Sequence, residues 1–317
     1  MLAEIDNLDI HVIVNDELNP ISPSPNAAVK VASRFMGIPL TPLSSELGGA
    51  TMEMCMDNFF CAAHGISLLL NTTKGDKKHY LLFDAGPEGE VWERNTHRLR
   101  TEIDDIEHIA LSHYHRDHSG SLTKAIELIK KSNDGDKQAD RPISLEADPS
   151  FEELETAGAT LLKSDQPHTV LDDLFLISGE IPRQTTYEDG IYGGVWFNPS
   201  TGHWEEDTWI MEERYIMCNL KNKGLVVFTG CGHAGIVNTC HDAIKLGNGS
   251  SLYSVVGGYH LADAEDAKLN ATMEDLKRFE PKVLLAGHCT GWRFKCRIAR
   301  DLPDCLVPCF SGSKYTL

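Results

Sequence analysis

An α/β fold built in layers is what this sequence predicts, and three observations carry that reading. Eight short apolar runs of strand length lie at 64–71, 79–83, 106–111, 174–178, 214–220, 225–229, 252–256 and 282–286. Segments of helical periodicity lie among them, and glycine with histidine follows directly on several of the runs. The helix expected over 121–131 sets Leu122, Ala125, Ile126 and Ile129 on one face. A second, 236–246, closes at Gly247; a third, 264–279, stops ahead of Pro281; a fourth spans 292–300. Residues 221–224 read as a hairpin turn between two strands. Strands from both halves of the chain, mixed with helices and hairpins, suit a layered sandwich better than a simple doubly wound sheet.

Composition narrows the classes of function. With 41% hydrophobic and 24% charged residues, the 317-residue chain can bury a full core, which removes disorder as its main state. Its 29 Lys and Arg against 47 Asp and Glu give a formal charge of -18, which repels polyanions unless a basic stripe overrides it. The densest basic stretch, 130–141, interleaves Asp134, Asp136 and Asp140 and reads as a solvated loop. Residues 19–46 are rich in Pro and Ser and read as irregular. Residues 1–9 are acidic, without the basic and apolar regions of a secretory signal, and no run reaches the ~18 apolar residues that span a bilayer. Nine scattered cysteines argue against a disulfide framework. The expectation is a soluble protein of a reducing, cytoplasmic compartment that binds neither nucleic acid nor membrane.

The strongest local signal is Leu111-Ser112-His113-Tyr114-His115-Arg116-Asp117-His118-Ser119-Gly120, directly after an expected strand. Four potential ligands within six residues, on a turn between a strand and a helix, project into a cleft where imidazole and carboxylate can close on an ion at ~2.0–2.2 Å. A lone histidine is more often an ordinary surface or core residue; four clustered donors are not. These residue types suit zinc, manganese or ferrous iron. Three further histidines follow strands beside glycine: His233, His260 and His288. That repetition is what several strands aiming ligands at one cleft would give, glycine letting the backbone turn sharply. Cys231 and Cys289 stand beside better-matched histidines and read as small buried core residues. Trp196, Trp204 and Trp209 line a pocket or simply pack a long loop.

The His-x-His-x-Asp-His run with downstream His233 and His288 resembles the metallo-β-lactamase superfamily. More narrowly, Ala63-His64-Gly65-Ile66-Ser67, Phe83-Asp84-Ala85-Gly86-Pro87, Ser178-Gly179-Glu180-Ile181-Pro182-Arg183 and the Gly-Cys-Gly-His-Ala-Gly-Ile-Val-Asn run ending at Asn238 resemble one branch of it. That branch is named for a 7,8-dihydropterin-6-yl-methyl-4-(β-D-ribofuranosyl)aminobenzene 5'-phosphate synthase.

The resemblance implies a four-layered αββα sandwich occupying residues 1–317 as one domain. It implies two divalent ions, taken as zinc with manganese or iron as alternatives: one held by His113, His115 and His233, the other by Asp117, His118 and His288. Asp84 would orient ligands through hydrogen bonds. Many superfamily members place a bridging Asp after the strand that here ends Val255-Val256-Gly257-Gly258, and none stands there. His260 either replaces it or faces the substrate. Asp117 and His260 are the expected catalytic residues, and Arg183, Tyr259 and His260 the expected substrate contacts. The activity implied is opening of a small-molecule lactam, lactone or ester through a metal-bound hydroxide. The alternative, from the branch name, is a dihydropterin-type synthase displacing pyrophosphate in a metal-dependent condensation. Nuclease action is disfavoured by the net charge. A non-enzymatic metal-bound sensor is disfavoured by the complete ligand set.

Overall fold

The computed structural model describes residues 2–19, 26, 28–31, 40–47, 50–53, 55, 58–130, 148–191, 194–198 and 200–317. The basic stretch after Lys130, and most of the Pro- and Ser-rich segment, lie outside the described residues. The first part of the chain forms β1 (Glu4–Ile5), β2 (Asn7–Val14), β3 (Lys30–Val31), β4 (Thr41–Leu47), β5 (Ala50–Glu53), β6 (Ser67–Lys74), β7 (Lys77–Phe83), α1 (Gly89–Leu99), β8 (His108–Ala110), α2 (Arg116–Ser119), α3 (Leu122–Lys130) and α4 (Phe151–Thr156). Then come β9 (His168–Val170), β10 (Phe175–Ile177), β11 (Val195–Asn198), β12 (His203–Glu206), β13 (Ile216–Leu220), β14 (Gly224–Thr229), α5 (Ile236–Leu246), β15 (Leu252–Gly257), α6 (Asp266–Arg278), β16 (Val283–Ala286), α7 (Trp292–Asp301) and β17 (Lys314–Thr316).

Two sheets hold the structure. One runs β3-β17-β2-β6-β7-β8, the other β16-β15-β14-β13-β10-β9 with β1 beside β13. Alternation along each strand divides the apolar side chains between two faces. Leu8, Ile10, Val12, Leu68, Leu70, Leu81 and Phe83 meet Phe175, Ile216, Val226, Phe228, Val256 and Leu285 between the sheets. The neighbours Met217, Leu225, Val227, Val255 and Leu284 point outward, against Val237 and Cys240 of α5, Leu269 and Met273 of α6, and Phe294 and Ile298 of α7. Across the molecule, Ile13, Leu69, Tyr80 and Leu82 pack on Trp92 of α1 and Ala125 of α3. The layers are therefore helix, sheet, sheet, helix.

Among the elements that escaped the sequence reading are β2 and α1. β2 carries a period-2 signal in Leu8, Ile10 and Val12 that could have found it. α1 buries Trp92, Asn95 and Thr96, a face too polar to register as an apolar stripe. Asn95 Nδ2 donates to the carbonyls of Ile13 and Cys61 at 2.7 and 2.8 Å.

Strand direction creates one shared rim. β14, β15 and β16 are parallel, as are β7 and β8, and β2 runs with β7 because both are antiparallel to β6. The C-terminal ends of these strands lead to Asp16, Asp84, His113, Cys231, His260 and His288. Among the described residues no helix is long and apolar enough to cross a membrane.

Candidate metal centre

β8 ends at Ala110, and the turn that follows places His115 in an extended conformation directly before α2. The carbonyl of His115 accepts from the backbone N–H groups of His118 and Ser119 at 2.9 and 3.0 Å, so Asp117 and His118 ride on a first helical turn. Their donor atoms join those of residues from β14 and β16. Asp117, His118, Cys231 and His288 form one group, and His113, Cys231 and His233 another, each with ligand atoms within 4.8 Å of one another. In the first group Asp117 Oδ2 lies 3.4 Å from His118 Nε2 and 3.3 Å from His288 Nε2. Cys231 Sγ lies 3.2 and 3.1 Å from the same two nitrogens. Donors about 2.0–2.3 Å from a tetrahedral ion stand roughly 3.3–3.7 Å apart; the Asp117 distances fall in that range and the Cys231 distances just below it. His115, expected as a ligand, is not a member of either group but stands beside the second, with Nδ1 3.0 Å from His113 Nε2 and its ring centroid 5.1 Å from that of His233. Both His233 ring nitrogens are buried without a hydrogen-bond partner, the state of a ligand awaiting an ion.

Carboxylates behind the ring aim it. Asp84 is fully buried, contacts His118 Nδ1 through Oδ2 at 2.7 Å, and accepts from the Ser112 backbone N–H at 2.7 Å and hydroxyl at 2.8 Å. Ser112 Oγ in turn lies 2.8 Å from His113 Nδ1. Asp16 does for His288 Nδ1, at 2.9 Å, what Asp84 does for His118. With Nδ1 occupied, Nε2 is left facing the donor group. Burial and the neighbouring imidazoles hold His113 and His233 well below the ordinary histidine range, and burial lowers His115. Neutral imidazole is the form that binds metal. At His118 burial is outweighed by Asp84 and Asp117, which push it up to about 9. At His288 burial is outweighed by Cys289 and by Asp117 and Asp16, which raise it well above the ordinary range.

Residues 67–188 match the family model of the metallo-beta-lactamase superfamily. The crystal structure of a metal-dependent hydrolase of the beta-lactamase superfamily matches with a TM-score of 0.67 at 20% identity, covering 97% of this chain and 98% of that one. The chain shares the fold of metallo-β-lactamase-like proteins, and within residues 67–188 its sequence is similar to that superfamily. It is 28% identical over 251 residues, 74% of its length and 83% of the relative's, to a 7,8-dihydropterin-6-methyl-4-(beta-D-ribofuranosyl)-aminobenzene-5'-phosphate synthase of Methanocaldococcus jannaschii. An uncharacterized protein of the same archaeon is 28% identical over 250 residues, 76% of this chain and 89% of that protein. The fold fits divalent-metal binding, and the described residues offer candidate donor groups for it.

Several side chains depart from their sequence assignment. Tyr259 is not a substrate contact: its ring is buried in the outer core against Phe294, and its hydroxyl donates to the Val255 carbonyl at 3.1 Å. The glycine pair before it resets the strand's alternation, and a tyrosine with its hydroxyl satisfied favours the core. Arg183 spends two nitrogens on carbonyls, of His233 at 2.9 Å and Trp209 at 2.5 Å, so it braces the loop carrying His233. Cys231, read as a core residue, stands in both donor groups. His260 sits on the rim, its ring centroid 4.4 Å from that of His233, and among the described residues it joins neither group. Trp196 and Trp209 are exposed.

Other site residues carried no sequence signal. Glu213 is buried and accepts from the N–H groups of Gly232, His233 and Ala234 at 2.8, 2.9 and 2.6 Å. Glu188 takes those of Val237 and Asn238, both at 2.8 Å, at the start of α5, where free donors and the helix dipole favour a carboxylate. Asp84, His260 and His288 all have positive φ, 54°, 47° and 43°, and non-glycine residues in that region concentrate at functional sites.

Proposed function

We propose that the protein is a metal-dependent hydrolase acting on a small-molecule lactam, lactone or ester in a reducing, cytoplasmic compartment. The observation that carries this reading is the pair of donor groups meeting at one rim, with Nδ1 of His118 and His288 held from behind by carboxylates. His113, His115 and His233 would hold one ion and Asp117, His118 and His288 the other, with zinc favoured by a donor set rich in imidazole. A bound pair supplies Lewis acidity and activates water. The chain's own groups do the rest. Asp84 and Asp16 fix the rings. His260, its ring centroid 4.4 Å from that of His233, would meet substrate. His64, with Nδ1 held by Asp16 at 2.8 Å and Nε2 3.8 Å from Asp117 Oδ2, presents Nε2 at the mouth. Its hydrogen bond to Asp16 raises its pKa, so Nε2 can hold a proton for a leaving group.

The test is turnover of a lactam, lactone and ester panel by metal-loaded and chelator-stripped protein, with elemental analysis beside it. Two ions per chain and turnover only in the loaded form are expected, and Asp117→Ala should lower turnover ~1000-fold or more with the fold intact by circular dichroism. Turnover that survives metal removal sinks the reading. The 28% identity to the archaeal synthase supports a second reading, condensation with loss of pyrophosphate. Pyrophosphate release from a dihydropterin diphosphate, with no turnover of the panel, would select it.

A further inference from the structure

We propose that Cys231 is a thiolate ligand shared by the two ions, standing in for the bridging carboxylate that this chain lacks. The inference rests on the two-ion reading above and adds to it a donor that the family pattern did not supply.

Three observations meet at the sulfur. Of the three donor groups found among the described residues, Cys231 belongs to two, joining Asp117, His118 and His288 in one and His113 and His233 in the other; the third is Asp16, His64 and His288. Its Sγ is within 3.2 Å of Nε2 of both His118 and His288, near the spacing of ligands on one tetrahedral ion, and the His113 and His233 donors lie within 4.8 Å of it. The third observation concerns the positions after β15 that could have carried a carboxylate. A side chain at Gly258 would run into the Gly230 carbonyl at 2.5 Å, Cys289 Sγ at 2.7 Å and the Cys231 carbonyl at 3.1 Å. One at Gly257, where φ is +122°, would strike the Thr229 carbonyl. An Asp is thus sterically excluded where the superfamily often has one, and the neighbouring loop brings in a sulfur that two of the groups share. Gly230, just before the cysteine, has no room for a side chain either, because Ser112 and Asp84 press against it; the loop is held flush to the ligand cluster.

The chemistry balances. A divalent ion favours the thiolate, so each bridge formed releases the thiol proton to solvent as two metal–sulfur bonds replace one S–H.

Cobalt(II) substitution tests this without reference to turnover. The full chain is loaded with Co(II), cobalt is counted by elemental analysis, and the near-ultraviolet thiolate-to-cobalt band is recorded for wild type, Cys231→Ser, Cys231→Asp and Cys289→Ser. Two ions and the band are expected in wild type and Cys289→Ser. Cys231→Ser should lose the band and weaken both ions at least tenfold. Cys231→Asp should keep two ions without the band, which guards against a misfolded serine variant. Two bound ions with no band in wild type, a band that survives Cys231→Ser, or a weakening confined to one ion each overturns the shared ligand while leaving the two-ion reading intact. Failure of wild type to bind cobalt overturns both.

Discussion

The two donor groups are built in opposite ways. In the Asp117, His118 and His288 half the rings are fixed by side chains, Asp84 on one Nδ1 and Asp16 on the other. In the His233 half the ring has no partner at either nitrogen, while the backbone beneath it is fixed by Glu213 on the N–H and Arg183 on the carbonyl. One half is preorganised at the ligand atom and the other at the main chain. The difference teaches that burial alone can hold an imidazole neutral, but it takes a partner behind the ring to decide where the free nitrogen points.

Removing the backbone anchor should have the largest effect on stability. Glu213→Ala strands three buried N–H donors at about 1–3 kcal/mol each, and we expect a loss of ~3–5 kcal/mol in urea unfolding of the metal-free protein, with weaker binding of the ion nearest His233. A loss below ~1 kcal/mol would break the comparison from that side. Asp84→Asn comes next: it keeps the shape but removes the charge behind His118, and should weaken metal ~10–100-fold, measured by competition with a chelating dye and falling first on the ion held by His118 and His288. An equal loss at both ions would mean that the Ser112 relay to His113 matters as much as the direct contact. Asp16→Asn should cost less, since the Asp16 side chain is 27% exposed.

The effect that is smallest at neutral pH isolates burial from partnership. His11 on β2 is an imidazole with both nitrogens buried and unpartnered, and burial lowers its pKa to about 4. The unfolded chain binds the proton near ~6.5, so as pH falls from about 6.5 to 4 the unfolded state gains protons first and stability drops, by on the order of 2–3 kcal/mol. His11→Gln should flatten that part of the stability profile and leave neutral pH nearly unchanged. An unchanged acid slope would show that His11 is not the residue responsible.

How much of this could be read in advance follows from sequence distance. The 113–118 turn was legible because its donors are adjacent and follow a strand, and the glycine-flanked His233 and His288 repeat that setting. Helix 236–246 was legible from a clean apolar face ended by glycine. Asp16 was not, since its partner lies 272 positions away with no spacing rule to link them. Glu213 acts on main-chain donors, which no residue pattern betrays. Tyr259 was misread because alternation is lost across Gly257 and Gly258, so the sequence alone cannot say which face the next ring takes.

The span between the two ends of the cluster also orders events in time. His118 leaves the ribosome 170 residues ahead of His288, a delay of roughly 10–30 s at ordinary elongation rates. Through that interval the nascent chain displays the donor-rich turn without the strand that completes it, free to catch a stray cation in the wrong coordination. β17 pairs with β2, and Asn15 at the end of β2 accepts from the His288 backbone N–H at 2.8 Å. The donor set is therefore complete only once synthesis has passed His288 and β16 has taken its place beside β15.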